Sequence, residues 1–247
     1  MEHRFVKISY TGRIKDGSVF DTTDKETAEK EKIIDEKRIY RPVPVVIGEK
    51  QVLPGLDDEL KEMKAGEEKE VMLPPEKAYG QKDPNLIRLV PMKAFKQQNM
   101  MPIPGMVIEL DGRPAKIQTV SGGRVRVDFN AELAGKTLEY KIKIDDEAKT
   151  QDQRLKFLIE RSFNTLEGFE VRINARKIEI VIPEKSYKDR NLLVRKASLV
   201  TEIFRFTDVD SVTYADTWKK KKKEDKKPEE AKAADAKEDI VETEATE

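Results

Sequence analysis

The side chains that could do chemistry in this chain are hydroxyls and carboxylates rather than thiols or imidazoles. The sequence has no cysteine and a single histidine, His3. Without cysteine there is no thiolate nucleophile, no disulfide and no cysteine-ligated metal, and one histidine is too few for a multi-histidine zinc site. A solitary histidine near the chain start is also a poor candidate for a Ser–His–Asp triad. The sequence therefore gives no physical reason to expect a metal or a cofactor.

Four aromatic residues and one carboxylate are candidate site residues of this sequence. Tyr10, Phe20 and Asp21 lie near the start of the sequence, and Tyr79 and Tyr140 lie far downstream. Taken singly, Tyr10 and Phe20 are typical of core aromatics, while Asp21 is typical of a turn or helix cap. Tyr79, which precedes a glycine, is typical of a turn.

The elements that must position these residues are predicted by periodicity. Residues 6–10 and 138–144 alternate apolar and polar side chains, which predicts strands with one buried face. The apolar spacing within 56–63 predicts a short helix that begins after a Pro-Gly pair and ends by the next glycine. Residues 24–41 are rich in Lys and Glu, which predicts a solvated insertion that could be helical. The run 43–48 is extended, and its prolines favour a sheet edge or bulge.

Residues 83–130 differ in character from the sequence around them. They contain several prolines, a methionine-rich run and two β-type runs joined by a Ser-Gly-Gly turn. This predicts a small inserted β-domain, so that the first domain is made of 1–82 and 131–148. The methionines at 100, 101 and 106 have two interpretations, which are packing within a loop and adaptable binding of apolar segments.

A third domain is predicted over 149–218, with the element order α-β-β-α-β. Its two helices carry apolar stripes within 155–163 and 193–204, the second formed by Leu193, Ala197, Val200 and Phe204. The strand 178–182 is apolar on both faces, and such a strand is usually covered on both. The second cover could come from a partner subunit or from the first domain.

The remaining sequence is dominated by charge. From Lys219 to the end it holds almost no apolar residue, which predicts a disordered tail over 219–247. The lysine run 219–223 is interpreted either as solvated or as a contact to an acidic surface such as ribosomal RNA. Over the whole chain, 48 basic side chains balance 48 acidic ones, so no global basic field attracts nucleic acid.

Two observations bear on location. No apolar run approaches the length of about eighteen residues that spans a membrane. The first residues enter a strand-like alternation without the apolar core of a signal peptide. Both observations predict a soluble cytoplasmic protein.

Four sequence segments together resemble the FKBP family of peptidyl-prolyl cis–trans isomerases. They are Val6-Lys-Ile-Ser-Tyr-Thr-Gly12 with Asp16-Gly17 and Phe20-Asp21, Val46-Ile-Gly-Glu-Lys-Gln-Val-Leu-Pro-Gly55 with its helix, Pro74-Pro-Glu-Lys-Ala-Tyr-Gly80, and Leu138-Glu-Tyr140. The insertion after Gly80 resembles the insert-in-flap domain of the SlyD-like branch, and the unit after 149 resembles the long archaeal-type members. The resemblance implies an α+β fold, in which an antiparallel half-barrel sheet surrounds a short helix.

The resemblance also implies roles for particular residues. Tyr10, Phe20, Leu56 and Tyr140 would line a cavity for the prolyl ring, the Leu53 N–H and the Tyr79 hydroxyl would bind substrate carbonyls, and Asp21 would lie at the edge. The residues assigned to substrate binding are Val43, Val45, Val52, Leu56, Met100, Met101 and Met106. The chain departs from the family pattern at three positions. Leu56 replaces a common tryptophan, Val43 replaces an aromatic residue, and Ala131 stands where the branch often has histidine.

The function that the resemblance implies is isomerisation of X-Pro bonds in unfolded or nascent proteins, with holdase activity through the insert. Two other functions remain open from the sequence, namely a non-catalytic chaperone with a degenerate pocket and a ribosome-associated folding factor. The expected partners are proline-containing polypeptides. A homodimer through the C-terminal domain and a weak ribosome contact are further expectations.

Overall fold

The computed structural model describes residues 3–218, and the predicted disordered tail 219–247 lies outside them. The described residues form sheets of five, four and three strands. The strands are β1 (Phe5–Ile14), β2 (Val19–Thr22), β3 (Val43–Val46), β4 (Glu68–Leu73), β5 (Ile87–Pro91), β6 (Val107–Leu110), β7 (Arg113–Ser121), β8 (Arg124–Asp128), β9 (Leu138–Ala148), β10 (Glu170–Asn174), β11 (Lys177–Ile182) and β12 (Ser211–Asp216). The α-helices are α1 (Lys25–Lys30), α2 (Pro54–Glu62), α3 (Met92–Gln97), α4 (Gln151–Phe163) and α5 (Leu192–Phe206). Across 3–218, no helix is long and apolar enough to cross a bilayer.

The first sheet is an antiparallel half-barrel around α2. Its strand order is β2-β1-β9-β4, and β3 also pairs with β1. The predicted alternation places Val6 and Ile8 of β1 on the inner face, where they pack with Leu56 and Leu60 of α2. The helix begins with Pro54 at a position where the missing N–H costs nothing. The predicted α+β class and the half-barrel are therefore confirmed.

The second sheet belongs to the inserted segment and has the order β5-β8-β7-β6. Ile117 of β7 and Val125 and Val127 of β8 form its core together with Phe95. Phe95 is buried on α3, a short helix that the sequence analysis did not predict. Six residues give too few turns for a helical period to stand out from the surrounding prolines.

A buried carboxylate links the two chain segments that connect the insert to the first sheet. The Oδ2 atom of Asp128 accepts hydrogen bonds from Lys82 Nζ at 2.9 Å and Gln118 Nε2 at 2.8 Å. Its Oδ1 atom accepts from the N–H of Asn130 at 2.9 Å, and the Asn130 side chain in turn accepts from the N–H of Asp83 at 2.8 Å. Burial opposes ionisation, but these donors outweigh it and lower the pKa of Asp128 to about 2. The outgoing and returning chains are thereby clamped together.

The third sheet, β10-β11-β12, packs with α4 and α5 and has the predicted order α-β-β-α-β. A capping box between Thr150 and Gln153 starts α4. Ile178 and Ile180 of β11 share one hydrophobic cluster with Phe5 and Val46 of the first sheet. The chain itself therefore covers this face of β11.

The second helix is present as α5, and most of its predicted apolar stripe lies on the exposed side. Leu193 is 79% exposed, and Phe204 and Ala197 are also exposed. The buried face of the helix is formed by Leu192, Leu199, Ile203 and Phe206. Both sets recur at helical spacing, so periodicity alone could not choose between them. Packing against α4 and β11 makes the choice.

We expect Asp128→Asn to lower the free energy of unfolding by about 1–3 kcal/mol at neutral pH, because hydrogen bonds to a charged acceptor are weakened. The native pKa of Asp128 is lowered from its ordinary value of 3.8 to about 2. The ionised carboxylate therefore contributes its full stabilisation at pH values above its ordinary pKa. This stabilisation is lost as the pH falls through the lowered pKa of about 2. Urea unfolding should show a difference between variant and parent at about pH 6 that shrinks towards about pH 2.

Asp111→Asn is the matched control, because Asp111 lies in the same insert, is exposed and pairs only loosely with Arg88 at 3.9 Å. It should leave stability nearly unchanged. Equal losses for the two variants, or a loss for Asp128→Asn that persists at about pH 2, would contradict the assignment.

Candidate functional site

Three aromatic rings from three strands meet on the inner face of the half-barrel. The ring centroids of Tyr10 and Tyr140 are 6.0 Å apart, and Phe20 meets Tyr140 edge-on at 5.8 Å. The rings meet because β1 pairs with both β2 and β9, and each of these strands directs alternate side chains to the same face of the sheet. All three rings belong to the hydrophobic cluster that includes Leu56 at the floor.

Gly12 makes the close approach of these rings possible. It lies in β1 directly opposite Tyr140 of β9. A Cβ atom at this position would lie 2.8 Å from Phe20 Cζ and 2.8 Å from Tyr140 Cε1, which is closer than such atoms pack. A Thr-Gly pair is typical of a turn, but Gly12 is inside a strand, where it leaves room for two rings.

One edge of the aromatic cluster carries a polar network. The Tyr10 hydroxyl donates to Asp21 Oδ2 at 2.8 Å, and Arg38 forms a close ion pair with the other oxygen of Asp21. Arg38 Nη2 also lies 3.4 Å from the Tyr10 hydroxyl. Burial and the nearby charge of Asp21 raise the pKa of Tyr10 to about 12, so its hydroxyl stays protonated at neutral pH.

Sequence reasoning missed Arg38. The residue lies within 24–41, which was predicted only as a solvated insertion, and apart from α1 this stretch has no regular structure to reveal a buried side. One signal was available, since Tyr40 and Pro42 interrupt the charged run. The guanidinium of Arg38 lies 5.5 Å from the centre of the Tyr40 ring.

The apolar wall residues assigned by resemblance pack in the same cluster as the rings. Val45 and Leu56 are buried, and Val43, Val52 and Leu53 are half-buried. Leu53 immediately precedes α2, and its carbonyl accepts from the N–H of Asp57 at 2.9 Å. Because the first amides of a helix have no acceptor within it, the N–H at this end can donate outside the helix.

Tyr79 stands at the rim, where a short 3-10 helix (Pro75–Lys77) is followed by a tight turn. The N–H of Gly80 donates to the carbonyl of Pro75 at 2.7 Å, and Gly80 has a φ of +78°, which glycine adopts without strain. Tyr79 is 42% exposed and, with Phe20 and Ala131, lines a cavity of about 380 Å³. Burial and then the charge of Asp21 raise the pKa of Tyr79, which keeps its hydroxyl a donor.

The three methionines lie in the insert, apart from the rings. Met100 is half-buried against the core of the insert, whereas Met101 is 84% exposed and Met106 is also exposed. Next to Met106, a groove of about 610 Å³ runs between the insert and the segments that connect it to the first sheet. Three residues line both this groove and the cavity beside Tyr79, namely Ala131, Glu132 and Lys136. The two spaces are therefore adjacent.

Groups that could hold a metal ion were sought over the described range. No cluster of three or more histidine and carboxylate side chains is placed to do so between residues 3 and 218. The arrangement offers a cluster of aromatic rings beside a cavity of mixed polarity, protonated hydroxyl donors and one carboxylate that is paired with a guanidinium. Such a site can bind an uncharged group and orient its carbonyls.

Comparison with protein families finds three matches along the chain. Residues 1–94 match the model described as FKBP-type peptidyl-prolyl cis-trans isomerase. Residues 88–133 match the model described as FKBP26, IF domain, and residues 151–219 match FKBP26_C-terminal.

Among curated proteins, this chain is 40% identical over 142 residues to the short-type peptidyl-prolyl cis-trans isomerase of Methanocaldococcus jannaschii, covering 58% of this chain and 90% of that protein. It is 36% identical over 144 residues to the FKBP-type peptidyl-prolyl cis-trans isomerase SlyD of Aeromonas hydrophila, covering 57% of this chain and 61% of that protein. It is 26% identical over 143 residues to the FKBP-type 16 kDa peptidyl-prolyl cis-trans isomerase of Escherichia coli, covering 56% and 87% respectively.

We expect Gly12→Ala to lower the free energy of unfolding by about 1–3 kcal/mol, because the added methyl group must displace the Phe20 or Tyr140 ring. Urea unfolding measures the loss, and the near-ultraviolet circular dichroism of the tyrosines should change with it. Gly17→Ala is the control, since its Cβ would meet only Ile14, at 3.2 Å, in an exposed turn. A variant at Gly12 as stable as the control would show that the rings are not tightly packed.

Proposed function

This chain belongs to the FKBP-type peptidyl-prolyl cis–trans isomerase family, and we propose that it isomerises X-Pro bonds of unfolded or nascent polypeptides that its insert holds. In this proposal residues 1–82 and 131–148 catalyse, residues 83–130 capture the client, and residues 149–218 form a separate C-terminal unit. The observation that carries the proposal is the cluster of Tyr10, Phe20 and Tyr140 beside a cavity and a client-sized groove.

The reaction proposed for this pocket, rotation about an X-Pro peptide bond, needs no nucleophile. Rotation about a peptide bond has a barrier of about 18–20 kcal/mol, which comes from amide resonance. A twisted amide has lost that resonance and carries less charge on its oxygen. An apolar cavity that excludes water therefore binds the twisted amide better than the planar one, and this difference accelerates the rotation. The uncatalysed reaction is slow enough to limit folding.

The polar residues would orient the substrate around this cavity. The Tyr79 hydroxyl and the Leu53 N–H are the donors proposed to hold carbonyls on either side of the prolyl ring. Asp21 fixes the Tyr10 ring by accepting a hydrogen bond from its hydroxyl, and Arg38 compensates the charge of Asp21. The edge of the pocket is thereby rigid and close to neutral, which suits a substrate with no charge at the reacting bond.

Client capture is proposed for the exposed apolar surface of the insert. Met101, Ile103, Met106 and Val107 are all exposed and follow one another around the start of β6. Unbranched methionines adapt to differently shaped apolar partners. The groove beside Val107 continues towards the Tyr79 cavity, so a held polypeptide would have a short path to the catalytic pocket. Met100 would support this surface from within the insert.

Three finer expectations remain proposals. The exposed apolar residues of α5 form a face that a second copy could cover. We therefore keep the proposal of a homodimer through the C-terminal unit, and sedimentation of the full-length protein would test it. Ile178 and Ile180 of β11 lie in one cluster with Phe5 and Val46, and Val181 on the other face is only 8% exposed, so this strand supplies no argument for a partner. Ribosome association would show as salt-dependent cosedimentation. A cytoplasmic location also remains a prediction, which fractionation of cells would test.

We expect Asp21→Ala to lower kcat/KM on a prolyl tetrapeptide roughly tenfold, because Tyr10 loses its acceptor and Arg38 is left without its partner. Tyr79→Phe should lower it by a smaller factor, since it removes one donor. Both should remain folded, and chelator-treated parent protein should keep full activity. Ser9→Ala is the control, because Ser9 lies on the opposite face of β1 and bonds Asp145 at 2.6 Å. If neither site variant falls below this control, the proposed site is wrong.

We expect Met101→Ser combined with Val107→Ser to slow catalysis on an unfolded protein while leaving turnover of a tetrapeptide unchanged. The reason is that capture by the insert raises the local concentration of the client at the pocket. Leu89→Ser is the matched control, since Leu89 is 64% exposed against 65% for Val107 but lies on β5, at the opposite edge of the insert sheet. Equal effects on both substrates, or an equal effect of the control, would contradict the assigned surface.

A further inference from the structure

A buried carboxylate of the C-terminal unit contacts two cations of the catalytic half-barrel. Glu160 of α4 is only 8% exposed. Its Oε2 atom lies 2.7 Å from Lys7 Nζ, and its Oε1 atom lies 3.2 Å from Arg41 Nη1. Both contacts are ion pairs without the geometry of a good hydrogen bond. A charge in this environment is costly unless it is paired, so the two cations and Glu160 depend on one another.

The two cations lie in parts of the chain that are restrained to different degrees. Lys7 lies in the middle of β1, paired on both sides with neighbouring strands. Arg41 lies in the stretch 31–42, which has neither helix nor strand and leads directly into β3. Fixing Lys7 adds little to a strand that is already rigid, whereas fixing Arg41 restrains a stretch with few other anchors.

That stretch supplies the polar edge of the catalytic pocket. Arg38, which pairs with Asp21, lies three residues before Arg41, and Val43 of the pocket wall lies two residues after it. A cavity of about 260 Å³ lies between the 31–42 stretch and Asn164. Asn164 is the residue that ends α4, in the left-handed conformation with a φ of +57°. The C-terminal end of α4 therefore lies directly behind the residues that carry Arg38.

We propose that Glu160 is a positioning residue for the prolyl site, acting through Arg41 to hold Arg38 on Asp21 and Tyr10. The inference rests on the catalytic pocket proposed above. It makes α4 a supporting element of that pocket, so the C-terminal unit has a role in turnover besides any role in assembly. Rotation of the 31–42 stretch would withdraw the guanidinium from Asp21 and free the Tyr10 ring.

The C-terminal unit is held to the half-barrel by other contacts, so loss of Glu160 should not detach it. Phe5 and Val46 pack into its hydrophobic cluster, and Arg205 of α5 forms a close ion pair with Glu49. A purely structural ion pair would change stability alone. A positioning residue must also change turnover, and that change must depend on Arg38.

The test is a double-mutant cycle on the full-length protein with a prolyl tetrapeptide. Glu160→Gln keeps the size of the side chain and removes its charge, and we expect it to lower kcat/KM roughly threefold to tenfold. In the Arg38→Ala background the same change should have no further effect, because the residue through which it acts is gone. Arg41→Gln should behave in the same way, and it leaves Glu160 paired with Lys7 in case the first variant folds poorly.

Glu202→Gln is the matched control, because it removes a half-buried ion pair with Arg161 at 2.9 Å within the C-terminal unit. It should leave kcat/KM unchanged. Equal losses from Glu160→Gln in both backgrounds, or no loss in the parent background, would overturn the inference while leaving the site itself intact. If Arg38→Ala and Asp21→Ala are also without effect, the proposed site has failed and the inference falls with it.

Discussion

The two faces of one strand, β1, organise the rest of the molecule. Val6, Ile8 and Tyr10 point inward to α2 and the aromatic pocket, while Phe5 and Lys7 point outward to the C-terminal unit. A pleated strand sends alternate side chains to opposite faces, so a ten-residue strand can contribute to two cores at once. The catalytic pocket and the C-terminal unit are therefore built on the same short piece of backbone.

The pocket that results is suited to a reaction without bond breaking. Its aromatic rings are packed closely enough that Gly12 is needed beneath them, and at one edge Tyr10, Asp21 and Arg38 are paired with one another. The raised pKa values of Tyr10 and Tyr79 keep both hydroxyls as donors. In the function proposed above, selectivity for a twisted amide would follow from shape and low polarity, and the hydrogen bonds would only orient the chain on either side.

Two charged contacts connect the other units to this pocket. Asp128 clamps the two chain segments from which the insert projects, and Glu160 pairs with Arg41 in the stretch that carries Arg38. Both carboxylates are nearly buried and are compensated by cations from a different part of the chain. Buried charges of this kind are costly when unpaired, so they favour one arrangement of the units over neighbouring ones.

The sequence by itself determined the inserted sheet and the α-β-β-α-β order, because those depend on local periodicity and turn residues, whereas it indicated the half-barrel only through a family resemblance. It also supplied the residues of the aromatic cluster, through ordered motifs that resemble a known family. Only the tertiary structure decided that Arg38 reaches Asp21, that Gly12 makes space for Phe20 and Tyr140, and which face of α5 is buried. Those outcomes depend on contacts between residues far apart in the chain, such as Glu160 with Arg41, and local pattern carries no information about such distances.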